Sequence, residues 1–278
     1  MKLLVDSGAT KANWALADKG EILKTTHTPG ISPYFLDDEG IIALANQARL
    51  GMPTMIPKEV YFYSTGCNAL EQRQRVEALF RKLFPEAALV QVNTDLLAAA
   101  RASCQAQPGV VGILGTGSNA CSYDGAQVVE TAGGLGFILG DEGSGAALGK
   151  ELISAFLNRE LEPEIARELQ EEFHLSRDNI LQSVYQLPFP NRFLANFTPF
   201  VFQHRKTPTI QTILNGQFSL FFHRNVIPLY RKAPSPIHFV GSVAFYFQKE
   251  IEMAAHALGL PLGRFEQDPM PGLARYHR

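Results

Sequence analysis

The chain has 278 residues, 46% of them hydrophobic and 19% charged, with a net charge of −2 at pH 7. That length suits two domains or one large one, and the composition supports a sizeable core and excludes a disordered chain. The near-neutral charge gives no reason to expect nucleic acid or an anionic membrane surface as a partner.

No apolar segment reaches the ~18–20 residues that span a bilayer. The start, MKLLVDSG, meets Asp6 before a signal-peptide core could form. Cys67, Cys104 and Cys121 are scattered and make neither a disulfide framework nor a zinc pair. The expectation is a cytoplasmic protein with reduced thiols.

Lys2–Asp6 reads as a short apolar strand, Ser7-Gly8-Ala9-Thr10-Lys11 as a turn of small residues, Asn13–Ala17 and Glu21–His27 as two further strands. A helix is expected at Gly40–Leu50, a buried strand at Val60–Thr65, and a second helix at Ala69–Phe84. Ala88–Val92 is a strand, after which Asn93-Thr94-Asp95 opens an alanine-rich helix, Leu96–Cys104. Gln105–Gly109 is the expected linker.

Val110–Leu114 then feeds Gly115-Thr116-Gly117-Ser118-Asn119, and further strand-like runs lead to Asp124-Gly125 and to the glycine clusters between Gly133 and Gly143. This repeats the opening plan of strand, small-residue turn, strand, Asp/Gly turn, strand, at an offset of roughly 108 residues. Asp124-Gly125 is a hairpin signal; the other clusters are too dense for hairpins alone and suit a ligand site. Ser144–Arg159 is a helix with Ser144 at its N-cap, and Pro163–Tyr230 is almost wholly helical, its phenylalanines packing helices together. Pro236–Val240 runs into Gly241-Ser242, and Val243–Leu258, Leu262–Phe265 and Met270–Tyr276 read as helix, strand and helix.

Neither a P-loop nor a GxGxxG after a strand is present. What remains is two phosphate-type turns, one per domain, suited to gripping a triphosphate. Asp6, ending a strand beside the first turn, suits a Mg²⁺ contact through water; its structural alternative is to cap the turn. Thr10 and Thr116 offer hydroxyls to phosphate oxygens, and Lys11 either adds charge or is a solvated edge residue. Asp95 lies at the C-terminal strand edge where open α/β sheets bind ligands, or else is simply a helix N-cap. Asp141 can accept hydrogen bonds from a polyol, and Glu142 suits the N-terminus of the following helix.

Asp6–Lys11, Asn93–Asp95, Leu114–Asn119, Gly133–Gly136, Gly140–Ser144 and Val240–Val243 together resemble the BadF/BadG/BcrA/BcrD ATPase family, and within it the eukaryotic-type N-acetylglucosamine kinases. The match runs over essentially the whole chain. The resemblance implies an α/β fold of two ribonuclease-H-like, actin-like ATPase domains around a nucleotide cleft. These would be residues 1–108 and 109–278, with a helical insert at about 160–232 and the last helix able to pack back on the first domain. It further implies that Asp95 is the base for the sugar 6-hydroxyl. Gly66, Ser118, Asn119, Gly133, Gly134, Leu135 and Asp141 would meet the sugar. Ser7, Gly8, Thr10, Lys11, Gly115, Thr116, Gly241 and Ser242 would meet ATP. The family has Gly-Trp where this chain has Gly134-Leu135, and an asparagine where Ile31-Ser32-Pro33 stands; the adenine-side loop near Gln203–Pro208 is short.

The expectation is therefore an ATP- and Mg²⁺-dependent kinase making the 6-phosphate of an amino sugar, most simply N-acetylglucosamine. Its partners are the two small molecules, and homodimer formation is left open. The alternatives are an ATP-driven dehydratase or reductase activator with a cysteine-held cluster, and a non-catalytic sugar or nucleotide sensor.

Overall fold

Short apolar runs separated by Asp/Gly turns build the first sheet. The computed structural model describes residues 1–8, 10–52 and 56–278, so Ala9 of the first turn lies outside the described residues. β1 (Lys2–Ser7), β2 (Lys11–Asp18) and β3 (Glu21–Pro29) form an antiparallel meander. β4 (Glu59–Ser64) and β5 (Leu89–Thr94) extend the other side of β1 in parallel, giving the order β3-β2-β1-β4-β5.

Helices α1 (Asp38–Gly51) and α2 (Leu70–Leu83) lie in the crossovers that parallel strands need, and with α3 (Asp95–Cys104), which follows β5, they cover both sheet faces. Alternation along each strand therefore feeds two cores. Leu3, Val5, Trp14 and Phe62 pack with Phe80 of α2, whereas Leu4, Ala15 and Tyr63 pack with Ala98 and Ala102 of α3.

The second sheet repeats the plan. β6 (Gly109–Leu114), β7 (Ser118–Tyr123) and β8 (Val128–Gly133) are the counterparts of the meander, and β9 (Ile237–Val240) and β10 (Leu262–Glu266) add in parallel beside β6. The order β8-β7-β6-β9-β10 is that of the first sheet, strand for strand. The duplicated plan in the sequence is thus a duplicated α/β topology.

Between β8 and β9 lie the short α4 (Gly136–Leu139) and α5 (Gly145–Leu157), then the helices α6 (Pro163–Phe173), α7 (Arg177–Tyr185), α8 (Pro190–Ala195), α9 (Thr198–Gln203), α10 (Pro208–Phe221) and α11 (Ile227–Lys232). Phe197, Phe200, Phe218, Phe221 and Phe222 are buried together in their core, so the stripe serves packing. A π-helical turn, Phe222–Val226, joins α10 to α11. The segment read as one helix, Val243–Leu258, divides into α12 (Ser242–Tyr246) and α13 (Gln248–Ala257). Phe247 leaves helical geometry at the break and buries its ring against Phe202 and Phe218. α14 (Met270–Tyr276) closes the described chain.

The chain forms two units: Met1–Gln107 with Asp124–Val128 and Asp268–Arg278, and Pro108–Tyr123 with Val129–Gln267. In the first, α14 lies tight against α3, where a Cβ on Gly272 would stand 2.5 Å from the Ala102 carbonyl oxygen. Among the described residues no helix is long and apolar enough to cross a membrane.

Candidate functional site

The first unit gathers carboxyl groups at the C-terminal ends of its parallel strands. Asp6 lies near the end of β1, and burial, then the charges of Asp268 and Asp95, push its carboxyl up to about 8. Asp268 is held by two bonds, accepting from Asn13 Nδ2 at 3.1 Å and from the Met270 amide at 2.8 Å. Asn13 is the β2 partner of Asp6 in the sheet. Among the described residues no three His, Cys, Asp or Glu side chains are close enough to hold one metal ion together.

Asp95 is not the cap of α3. Thr94 takes that role, its hydroxyl accepting from the Leu97 amide at 3.2 Å. Asp95 occupies the first helical position, where its own Oδ1 accepts from the Leu96 amide at 2.9 Å. Burial raises its pKa, and the Leu96 amide and the Thr65 hydroxyl partly offset that rise. Thr65 is in turn tied to β1, its amide donating to the Ser7 carbonyl at 3.1 Å. A carboxyl so held is a fixed proton acceptor with raised basicity.

The turn after β1 is less open than its composition suggests. Ser7 Oγ accepts from the Ile31 amide at 2.7 Å and donates to the Ile31 carbonyl at 3.0 Å, so its hydroxyl is committed to the fold. The Gly8 amide closes the turn by donating to the Lys11 carbonyl at 3.0 Å. Thr10 and Lys11 are exposed and remain accessible to an anion. Gly66 has φ +89, and a Cβ there would stand 2.8 Å from both Ser32 Oγ and Tyr34 Cδ2, so the 31–34 loop can pack on it only because it is glycine.

In the second unit, the turn after β6 is closed by the Gly115 amide donating to the Gly117 carbonyl at 3.0 Å. The start of α5 docks on the same turn. Gly145 and Ala146 donate to the carbonyls of Gly115 and Thr116 at 2.8 and 3.0 Å, while Ser144 Oγ caps the helix through the Ala147 amide at 3.1 Å. Gly241, at φ +117, backs onto β6, where a Cβ would lie 2.4 Å from the Leu114 carbonyl oxygen.

A loop cluster lies beside that turn. Asp141 Oδ1 accepts from the Ser118 amide at 3.2 Å. Burial raises the Asp141 pKa, the Ser118 bond opposes the rise and Glu142 adds to it. A Cβ on Gly117 would stand 3.0 Å from Asp141 Oδ2, so the carboxylate lies directly over that glycine. Ser118 Oγ is buried with no hydrogen-bond partner among the described residues. Asn119 abuts Gly134, whose amide donates to the Ser118 carbonyl at 3.3 Å, and Asn225 abuts Gly133. Leu135 is 65% exposed at the tip of the loop. Glu142 is not a helix-end charge as read from sequence; it pairs with Arg224 and Asn225 of the π-helical turn.

A cavity of about 450 Å³ opens from the same turn. Gly115, Thr116 and Ser242 line it together with the apolar and aromatic side chains of Phe202, Val243, Tyr246 and Phe247. A site that combines a glycine turn with aromatic walls suits a molecule that carries both phosphates and a flat base.

The structure thus groups Asp6 and Asp95 with Asp268 in one unit. In the other it groups Gly115, Thr116 and Ser242 in one cavity, and Ser118, Asn119, Gly133, Gly134 and Asp141 in one loop cluster. Sequence reasoning missed Thr65, Asp268, Arg224, Asn225 and the aromatic cavity wall. An acid between a strand and a helix, the pattern that singled out Asp95, recurs at Asp268-Pro269 and was the available signal.

No protein-family model matches the chain, and no curated protein matches it. Among solved structures, a protein of Porphyromonas gingivalis provisionally named N-acetylglucosamine kinase is 37% identical, with a TM-score of 0.94 over 100% of this chain and 98% of that one. A Chromobacterium violaceum protein with the same provisional name is 18% identical at a TM-score of 0.76, covering 100% and 98% of the two chains. A ROK family glucokinase from Streptomyces griseus, solved with glucose and AMPPNP, is 14% identical at a TM-score of 0.63, covering 99% and 97%. The last two likenesses speak to the fold alone. Its two five-stranded mixed sheets and its full-length identity to the first of these structures show that the chain belongs to the same family as the Porphyromonas protein, sugar kinases with the actin-like ATPase fold.

Proposed function

We propose that the protein phosphorylates an amino sugar from ATP, with N-acetylglucosamine as acceptor, the 6-phosphate as product and Asp95 as base. The observation that carries this reading is the carboxyl of Asp95. It stands just past the C-terminal end of the parallel strand β5, relieved of capping by Thr94, aligned by the Leu96 amide and Thr65, and raised in basicity by burial.

In this reading Asp95 takes the proton of the sugar 6-hydroxyl as its oxygen attacks the γ-phosphorus. The bond from that phosphorus to the bridging oxygen breaks, and ADP leaves. The second unit contributes the Gly115–Thr116 turn to the phosphates, with Gly241 and Ser242 alongside. It also contributes Ser118, Asn119, Gly133, Gly134, Leu135 and Asp141 to the acceptor. The unpartnered Ser118 hydroxyl and the Asp141 carboxylate suit the hydroxyls of a sugar.

The first unit contributes Thr10 and Lys11 to the phosphates and Gly66 to the acceptor side. The Ser7 hydroxyl is engaged with Ile31, so Ser7 and Gly8 act by shaping the turn. Burial and the like charges of Asp268 and Asp95 disfavour a charged Asp6 carboxyl, so a nearby cation would relieve it. Asp6, with Asp268 beside it, would hold Mg²⁺ through water, and the ion would neutralise phosphate charge when bound. All three thiols are buried in the fold, which favours a kinase over a cluster-bearing activator.

ADP release coupled to acceptor addition tests the reading. Glucose, glucosamine, N-acetylglucosamine, N-acetylmannosamine and N-acetylmuramic acid form the panel. N-acetylglucosamine should give the highest kcat/KM, and a strong preference for a sugar without an amino group would contradict the acceptor assignment. Binding of ATP and sugar without ADP formation would mark a sensor.

A further inference from the structure

The cavity beside Gly115 and Thr116 bears on which nucleotide is used. Adenine and guanine present opposite groups at position 6, an amine against a carbonyl, and opposite hydrogen-bonding at N1. A site that separates them needs a fixed donor or acceptor aimed at that edge. Among the described residues that line this cavity, none is Asn, Gln, His, Asp, Glu, Lys or Arg.

The polar side chains that do line it end in hydroxyls, and two of these are already engaged. Thr198 Oγ1 donates to the Ala195 carbonyl at 2.7 Å, and Tyr246 Oη accepts from Gln267 Nε2 at 3.3 Å. A hydroxyl meets an amine or a carbonyl equally well by rotating or by using a lone pair. The amide of Gly115 and the carbonyls of Gly115 and Thr116 are engaged with Gly117, Gly145 and Ala146, and Pro199 has no N–H to offer.

What the cavity offers instead is rigid aromatic surface. Phe202 meets Tyr246 and Phe247 edge-on, at 5.8 and 5.4 Å between ring centroids, and Arg205 lies 4.1 Å from the Phe202 ring centroid. Stacking on such a wall depends on the π-face that every purine carries.

We infer that the donor base is bound by shape and stacking without being identified, so that GTP and ITP serve as phosphoryl donors alongside ATP. This rests on the phosphoryl-transfer reading above. An apolar pocket separates related ligands by about 10–200-fold, whereas a pocket that hydrogen-bonds the distinguishing group separates them by about 10⁴ or more.

Two measurements on the wild-type protein test it. The first is kcat/KM for ATP, GTP and ITP at a saturating concentration of whichever panel sugar ATP phosphorylates. The second is the calorimetric Kd of ADP, GDP and IDP with Mg²⁺ and no sugar. Values within about 100-fold across the three bases are expected in both; a preference for adenine above that ratio overturns the inference. If no sugar is phosphorylated by any nucleotide, the kinase reading fails while the diphosphate affinities still decide the base question. Phe202→Ala should weaken all three diphosphates by a similar factor, and selective loss of ADP alone would also overturn it.

Discussion

Arg224 Nη1 donates to Glu142 Oε1 at 2.6 Å, and the pair fastens the π-helical turn after α10 to the loop that carries Asp141. Burial pushes the Glu142 carboxyl up, but Arg224 and Asn225 reverse this and leave it below its ordinary value. Asn225, 3% exposed on the same turn, stands against Gly133. The turn therefore braces the loop from both of its ends, and π-helical turns are rare enough to mark such positions.

Removing Arg224 leaves a carboxylate in a site that burial disfavours. Arg224→Ala is expected to lower stability by about 1 kcal/mol, read by urea unfolding, and to raise the KM for sugar more than that for ATP. Adding Glu142→Gln to that variant should recover part of the loss. An equal rise in both KM values would mean the pair does not act on the acceptor loop.

A second network sets a pH response in the first unit. Arg101 Nη1 donates to Tyr63 Oη at 2.8 Å, so the Tyr63 proton goes to His277 Nε2 at 2.7 Å, and a neutral His277 accepts it. Burial, then Arg101 and Lys2, holds His277 down to about 3. A depressed histidine must stay neutral in the fold while it charges in the unfolded chain below about 6.5. Its contribution is full above that pH and is lost as pH falls towards 3. His277→Phe should thus gain on the wild type by about 1.4 kcal/mol per pH unit below 6.5. Parallel stability curves for the two proteins would refute this assignment.

Asp6 behaves oppositely. Its carboxyl is raised to about 8, so its contribution is full below about pH 4 and is lost as pH rises towards 8. Asp268→Asn removes the stronger of the two like charges acting on Asp6, and the drop in stability between those pH values should shrink. The same change should raise the KM for Mg-ATP and leave the KM for sugar near its wild-type value. An unchanged pH profile would show that Asp268 does not act on Asp6.

Much of this was legible because local chemistry fixed it. Leu3–Val5 and Val110–Leu114 are strands by their apolar runs, and the repeated turn plan announced the repeated sheet. Ser144 capped α5 where its residue type suggested. The rest needed tertiary context. Asp95 and Thr94 are both good caps, and only the Leu97 amide decides between them. Asp268 meets Asp6 through the return of the chain into the first unit, which no local pattern records. Phe202 sits beside the short segment read as the nucleotide side, yet its wall is completed by Tyr246 and Phe247, brought there by packing around a helix break that lacks any proline or glycine signal.

Gly241→Ala tests the geometry of the β9–α12 turn separately from chemistry. At φ +117, with the Leu114 carbonyl in the way, the substitution is expected to lower stability by more than ~1 kcal/mol and to weaken nucleotide binding, both read from thermal unfolding with and without ADP. Wild-type stabilisation by ADP in that variant would show that the turn does not shape the nucleotide site.

In the proposed reaction Asp95 accepts the proton from the attacking hydroxyl. Asp95→Asn keeps the size of the side chain and its bond from the Leu96 amide but removes the basicity. Steady-state turnover of this variant with N-acetylglucosamine and Mg-ATP is the direct measurement. A fall in kcat of about 10²–10⁴ with unchanged KM values and an unaltered unfolding curve is predicted; turnover near that of the wild type would contradict it.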